Sequence, residues 1–535
     1  MANQQTVFSR NATGLVKSIS PTTMLLANLG EIGFGTGILT LNLYNGSVFV
    51  LHNGYPGGNA VYTALIFTAI ALFLGFIYFH VIRNVGRTGG DYVWISRNLG
   101  PIPAGLLTLG FVFTGIPFIA ISLNWLWSLS LGPSLAAIGA VAPKSEPSLV
   151  SFVSTLGLNL TSSTHLDILI ISLVLLAAVM AVNMLSPKNG YLMLAGFVVI
   201  AFVGTLMMAG VYIGLGSSGM QSAVSNFLVN NGANATNGQT YSALSSTGAS
   251  SYPFSLMGTI LLLPAAAYAI PWVNNAAAFS GELKNLKRSS WISTFVPILL
   301  SGGLIAIFIE LYYSTLGFSF VQASSVLPSG LANTYVYPNM LTMATIAMKS
   351  NVPFMWIMNI TFAFWYLASL QQTILAISRY AFGMSFDKLI PVQLSKVHDR
   401  FHSPITALAV TFVVAVPMIA IASYLTWFSI FSTGALGMVF FAFMGVTAVV
   451  YGAKKRKSLK GSATALMASG VIVAGFFLYV AYLYLTDTVY LVNNINWAII
   501  IPLWVLGALL YPISRAYYSR KGLDLSLVFK ELPPE

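Results

Sequence analysis

Runs of about 20 apolar residues, each long enough to cross a hydrocarbon layer about 30 Å thick, recur along this chain and decide what it can become. Twelve can be placed, at 21–45, 60–82, 101–131, 165–185, 190–215, 254–280, 291–315, 353–380, 404–424, 427–451, 462–486 and 495–518. In lipid every backbone polar group must be satisfied internally, so spanning segments are helices or strands of a closed barrel. The pattern holds no alternating ten-residue strands, which predicts an all-α integral membrane protein with twelve transmembrane helices. Charge agrees: 7% of the residues are charged, against about a quarter in soluble domains. With no cysteine, disulfide and thiol chemistry are excluded.

An even number of spans puts both ends of the chain on one side. The first twenty residues are polar and lack a signal-peptide core, so the first run is expected to stay as a span. With that segment inside, every Lys and Arg except Lys144 and Lys349 falls on the cytoplasmic side, where positive charge collects. The expectation is a multi-pass protein of the cell membrane with both termini cytoplasmic. The net charge of +12 reflects this asymmetry and implies no nucleic-acid partner. The chain divides into a cytoplasmic segment 1–20, spans one to five at 21–215, an extracellular loop 216–253, spans six to ten at 254–451, spans eleven and twelve at 452–518, and a tail 519–535 that reads as unstructured or peripheral. The outside stretches 132–164 and 216–253, rich in Ser, Thr, Gly and Asn, read as linkers or caps. Segment 335–350 reads as a short helix over the outer mouth or as a surface loop.

Two spans look broken. In the first, Gly30, Gly33, Gly35 and Gly37 weaken the helix near mid-membrane and Glu31 places a carboxylate there, at roughly 2.5 kcal/mol or more. In the sixth, Pro264 and Pro271 remove backbone bonds two turns apart, ahead of Trp272, Asn274 and Asn275. Each disrupted span opens a block of five, 21–215 and 254–451, of nearly equal length. An odd number of spans per block makes the copies inverted in the membrane, and disruptions at matching positions point to a site between them.

Four motifs carry a resemblance. Gly33-Phe34-Gly35-Thr36-Gly37-Ile38-Leu39 lies in the first span, and Gly89-Gly90-Asp91-Tyr92-Val93-Trp94 with Gly100 follows the second. Gly281-Glu282-Leu283-Lys284-Asn285 closes the sixth. After the eighth come Ser378-Arg379-Tyr380-Ala381-Phe382, Asp387-Lys388-Leu389-Ile390-Pro391, Lys396-Val397-His398 and Arg400-Phe401 with Pro404. Together they resemble the amino acid permeases of the amino acid–polyamine–organocation superfamily over roughly residues 14–520. The resemblance implies a five-plus-five inverted repeat of the leucine-transporter type with two extra spans, and secondary active transport of amino acids by alternating access. It also implies a departure: Trp272 stands where the family's sixth-span break usually carries glycine. Some proton-coupled relatives hold a lysine in the fifth span, and 190–215 contains none.

On this reading Gly33, Gly35, Thr36 and Gly37 would offer backbone N–H groups and a hydroxyl to a substrate carboxylate, facing Ile270, Trp272 and Asn274. Small-residue helix packing explains the same glycines. Glu31 is expected to relay a coupling proton, or to be a structural carboxylate bonded to neighbouring spans. Ser369, Gln372 and Thr373 share one face of the eighth span and could hold a coupling ion, or act as polar glue between helices. Proton coupling is favoured over sodium. The aromatics Phe111, Phe113 and Trp125 of the third span read as a pocket gate or as ordinary core. The five His residues show no metal spacing and no catalytic triad or carboxylate pair stands out, so no enzyme activity, metal or cofactor is expected. The expected partners are a small-molecule substrate and the lipid bilayer. A polyamine or organic-cation carrier of the same fold, which would need more acidic residues in the pocket, and a channel or non-transporting sensor are the alternatives. A nucleotide-binding glycine loop is missing from the sequence, which excludes ATP-driven pumping by this chain alone.

Overall fold

The computed structural model describes residues 8, 13–31, 37–38, 55, 57–141, 155–156, 166–234, 237–249, 254–267, 269–270, 272–325, 327, 330–334, 336, 338–424, 434–487, 490 and 494–534. Among these residues the only extended pairings are two isolated bridges, Ile19 with Leu283 and Leu331 with Val336; the regular structure is helical.

Among the described residues ten helices are long and apolar enough to cross a membrane: Ala60–Asn84, Pro101–Val141, Ile168–Leu185, Pro187–Asn230, Leu286–Leu316, Val352–Phe386, Ile405–Tyr424, Gly434–Lys454, Gly461–Thr486 and Trp497–Ser519. They fall on the stretches expected as spans two to five and seven to twelve. The first span contributes helix Pro21–Glu31 and the helical residues 37–38. Local chemistry sets several starts. Asn59 and Ser186 cap their helices by accepting backbone N–H groups, and Pro187 fills the first position after its cap, where no donor is missed.

The spans cross where side chains are smallest. A Cβ on Gly204 would stand 2.4 Å from the backbone nitrogen of Phe362, one on Gly302 only 1.9 Å from Thr68 Oγ1, and one on Gly445 2.6 Å from the Gly470 oxygen. Lipid offers no hydrophobic drive between helices, so close backbone approach and dispersion hold these pairs. Outward, Leu206, Ile213, Val413 and Val471 stand largely exposed, as expected of a surface that meets acyl chains rather than water.

Several sequence expectations need correction. The third span does not stop at 131: helix Pro101–Trp125 passes through a π-helical stretch, Leu126–Leu131, into Gly132–Val141, with 132–139 buried, so the expected linker begins as core. Serine, glycine and proline in that stretch read as loop, but Ser130 and Ser134 are buried inside the bundle. The fifth span turns at Gly216 (φ 59°, ψ −169°) and continues as helix to Asn230, and the supposed loop also holds helix Tyr241–Ala249, docked by Tyr241 Oη donating to the Leu316 carbonyl at 2.6 Å. Within 335–350 lies helix Met340–Ala347, closed by a capping box between Asn339 and Thr342. It is an interior element, buried over 340–346, and Tyr212 Oη donates to the Met340 carbonyl at 2.9 Å. The tail is also structured: the 3-10 helix Leu525–Lys530 buries Leu525, Val528 and Phe529, and the Arg97 and Arg87 Nε groups donate to the carbonyls of Glu531 and Pro533 at 3.0 and 2.6 Å.

Candidate functional site

The sixth span is interrupted. Ser255 caps helix Leu256–Leu261, Leu263–Ala267 follows, 269–270 and 272–274 are non-helical, and helix resumes at Asn275–Ala278 before the 3-10 turn Ser280–Glu282. Tyr268 and Pro271 lie outside the described residues. A broken helix frees carbonyls that nothing in lipid can satisfy. Here side chains do it. Tyr490 Oη donates to the Leu261 carbonyl at 2.6 Å, Tyr484 Oη donates to that of Pro264, and Trp272 Nε1 donates to that of Ala267 at 3.0 Å. Trp272 thus caps the half-helix it ends.

Trp272 also faces a small cavity of about 30 Å³ between the third span, the break and the eighth span, lined by Phe111, Val112, Thr114, Gly115, Phe118, Thr373, Ala376, Ile377 and Tyr380. That volume suits one or two waters. Its wall is aromatic. Phe111 stands 5.9 Å from Trp272, 5.4 Å from Tyr380 and 4.4 Å from Phe440, and Phe118 stacks at 6.5 Å on Trp272. Of the third-span aromatics singled out in the sequence, Phe111 lines the cavity, Trp125 packs edge-on to the lining residue Phe118 at 6.0 Å, and Phe113 packs elsewhere, beside Leu436, Ile500 and Leu503.

Among the expected site residues, Gly33, Gly35 and Thr36 lie outside the described residues, as does the side chain of Glu31, which ends the first helix. Gly37 packs tightly: a Cβ there would stand 2.7 Å from both Ala269 Cβ, in the break, and Ile305 Cδ1. Ile270 is fully buried, and Asn274, also buried, donates from Nδ2 to Tyr380 Oη at 3.0 Å. On the eighth span Thr373 lines the cavity, but its hydroxyl donates to the Ser369 carbonyl at 2.8 Å. Gln372 is fully buried with neither amide atom paired, and Asn274 Oδ1 and Asn275 Nδ2 are likewise unpaired. An unmet buried amide costs about 1–3 kcal/mol, so these groups are poised for a partner. The first helix reaches this neighbourhood, since a Cβ on Gly30 would lie 3.2 Å from Ala368 Cβ, beside Ser369.

Three of the four sequence motifs meet in one hydrogen-bonded layer on the face that carries the basic loops. Gly89 N donates to the Ala278 carbonyl at 2.8 Å, Ser280 Oγ to that of Arg87 at 2.7 Å, and Ser18 N and Ile19 N to that of Glu282 at 3.0 and 3.1 Å. Arg379 forms a two-pronged pair with Glu282, 2.9 and 3.0 Å long. Arg97 does the same with Asp387, to which Tyr92 Oη also donates at 2.8 Å. Asp387 is therefore a buried clasp. The third buried carboxylate, Asp91 in helix Gly90–Asn98, has no guanidinium. It accepts from Tyr380 Oη at 2.6 Å, from Tyr78 Oη at 3.4 Å and from the Tyr92 N–H at 3.2 Å. Burial pushes its carboxyl up to about 7, against the hydrogen bonds from Tyr380 and the backbone, which lower it. Tyr380, Phe118 and Asp91 are site residues the sequence did not single out; Asp91 and Tyr380 stood inside quoted motifs, but nothing in the linear pattern joins residues 91, 274 and 380.

No curated protein matches the chain. The family model described as amino acid permease aligns with residues 19–507, a span that contains the interrupted sixth helix, the aromatic cavity and the layer the motifs build. The chain belongs to this amino acid permease family of the amino acid–polyamine–organocation superfamily.

Proposed function

We propose that the protein is a secondary active transporter that moves amino acids across the cell membrane by alternating access. In this reading the blocks 21–215 and 254–451 are inverted repeats that rock about the broken first and sixth spans, with both termini cytoplasmic and protons rather than sodium as the driving ion. The observation that carries it is the set of buried, unpaired amides, Asn274 Oδ1, Asn275 Nδ2 and both ends of Gln372, gathered along the interrupted helix and the eighth span. Backbone N–H groups of 33–37 would take the substrate carboxylate, and Asn274 and Gln372 its polar remainder. The wall of Phe111, Phe118, Trp272 and Tyr380 suits an apolar or aromatic side chain. Among the described residues the cavity lining contains no carboxylate, which counts against a polyamine. Glu31 is the coupling group expected from the sequence, and the face of Ser369, Gln372 and Thr373 the one for sodium.

Purified protein in liposomes, given a panel of labelled amino acids under a proton gradient, a sodium gradient or neither, tests this. Accumulation under the proton gradient and counterflow exchange are expected. Absence of trans-stimulated exchange for every amino acid would overturn it in favour of a channel or sensor.

Gly37→Val probes the contact between the two broken spans. The added side chain must displace Ala269, at about 1–3 kcal/mol of strain, and uptake per folded molecule is expected to fall about tenfold, the equivalent of 1.4 kcal/mol. Wild-type uptake by a folded variant would show that this contact has no part in the cycle.

A further inference from the structure

The three buried carboxylates described on the basic-loop face are not alike. Glu282 is neutralised by Arg379 and Asp387 by Arg97, whereas Asp91 has only neutral partners, two tyrosine hydroxyls and one backbone N–H. A carboxylate held in low dielectric without a counter-ion is driven toward its neutral form. On its own helix and the elements packed against it, Arg97 and Arg379 are paired as above, Lys454 donates to the Asn98 carbonyl at 3.0 Å, Arg83 and Lys530 are exposed, and His80 lies edge-on to Phe76 and Phe79.

Asp91 is also wired to the cavity. Tyr380, whose ring lines it, donates its hydroxyl to Asp91, and the same hydroxyl oxygen accepts from Asn274 Nδ2 in the break of the sixth span. While Asp91 is ionised, both hydrogen bonds point toward it. Once protonated, the carboxyl can donate to the tyrosine oxygen. Tyr380 is then free to donate to Asn274, whose Oδ1 is buried and unpaired. Reversal of this short chain therefore changes what the break offers to a substrate.

We propose that Asp91 is the group that takes up and releases the coupling proton, and that Tyr380 and Asn274 carry its protonation state to the substrate cavity. The proposal rests on the transport reading above. In the loading step a proton arriving from the cavity bonds to Tyr380 Oη as the tyrosine's own proton passes to the Asp91 carboxylate: one O–H bond forms on the aspartate, and the one lost on the tyrosine is replaced. In the release step the layer on the basic-loop face parts, Asp91 is wetted, ionises and gives the proton to water.

The test uses the full-length protein in liposomes. One pH unit across the bilayer sustains accumulation of about tenfold at one proton per substrate. Asp91→Asn is expected to abolish that accumulation and to flatten the pH profile of counterflow, which in the wild type bends near neutral pH. Infrared pH-difference spectra should show a buried-carboxyl band in the wild type that is missing in Asp91→Asn. Tyr380→Phe keeps the carboxylate and cuts the link, so the band should persist while pH-driven accumulation is lost; this variant also decides the matter if Asp91→Asn does not fold. Full pH-driven accumulation by folded Asp91→Asn overturns the proposal, as does its loss in Glu31→Gln with retention in Asp91→Asn, which would assign the proton to Glu31. A wild type without amino-acid counterflow would instead defeat the transport reading, and the infrared titration would still report whether Asp91 binds a proton.

Discussion

Glu282→Gln is expected to destabilise the folded protein by about 3–5 kcal/mol, because it leaves the Arg379 guanidinium buried without its counter-charge. Both side chains are 1% exposed, and each nitrogen–oxygen contact of the pair is close to 3 Å. The loss belongs near the lower end of that range. Arg379 also lies over the rings of Tyr191 and Phe279, 5.6 and 5.8 Å from their centroids, and this cation–π contact survives the substitution. The effect reaches beyond the pair, since the Glu282 carbonyl receives the backbone of Ser18 and Ile19 and its carboxylate accepts from Tyr191 Oη at 3.3 Å. Thermal or denaturant unfolding in detergent checks it. The double variant Glu282→Leu with Arg379→Met should recover most of the stability, because replacing a buried pair by apolar groups of similar volume is often neutral. If the single variant unfolds like the wild type, the pair is solvated and the layer is weaker than its geometry implies.

Gly204→Leu should be as damaging by a different route. The fifth and eighth spans touch there backbone to backbone: a Cβ would lie 2.4 Å from Phe362 N, 2.6 Å from Thr361 Oγ1 and 2.9 Å from the Met358 carbonyl. Backbone atoms cannot rotate aside, so a leucine must force the helices apart. Overpacking typically costs about 1–3 kcal/mol, and this site belongs at or above the top of that range. Yield of monodisperse protein and its melting temperature are the readouts. Gly196→Leu on the same helix is the control, since a Cβ there meets nothing within 4 Å, and it is expected to behave as the wild type.

Much of the scaffold could be read from the chain because hydropathy is a local property. The stretches expected as spans two to five and seven to twelve are helices, and most of their ends fall within a turn of the expected ones. Misreadings arose where local composition and tertiary placement disagree. Gly132–Val141 looks like the start of a loop because of its glycine and proline, yet a π-helical stretch, where the i→i−4 ladder is already interrupted, carries the helix on inside the bundle past Pro133. The tail carries too few apolar residues to be noticed, but Leu525, Val528 and Phe529 find a ready surface. The site was half legible. The proline break, Trp272 and Asn274 announce themselves because they offend helix rules, whereas Asp91 and Tyr380 offend none. Their significance comes from a 2.6 Å contact across 289 positions of sequence, which no local pattern encodes.

Trp272 has a consequence for how such a protein could diversify. One side chain supplies a wall of the cavity and, through its indole N–H, the cap on the Ala267 carbonyl, so a single codon sets both the shape of the cavity and the integrity of the backbone. A smaller residue would widen the pocket and uncap the half-helix in the same step. The ring also sits against Gly437, where a Cβ would lie 3.1 Å from it, so the tenth span is fitted to its presence. The cavity is therefore more readily reshaped through Phe111 or Phe118, neither of which caps a carbonyl, and position 272 is open to drift only after a second donor for that carbonyl has appeared.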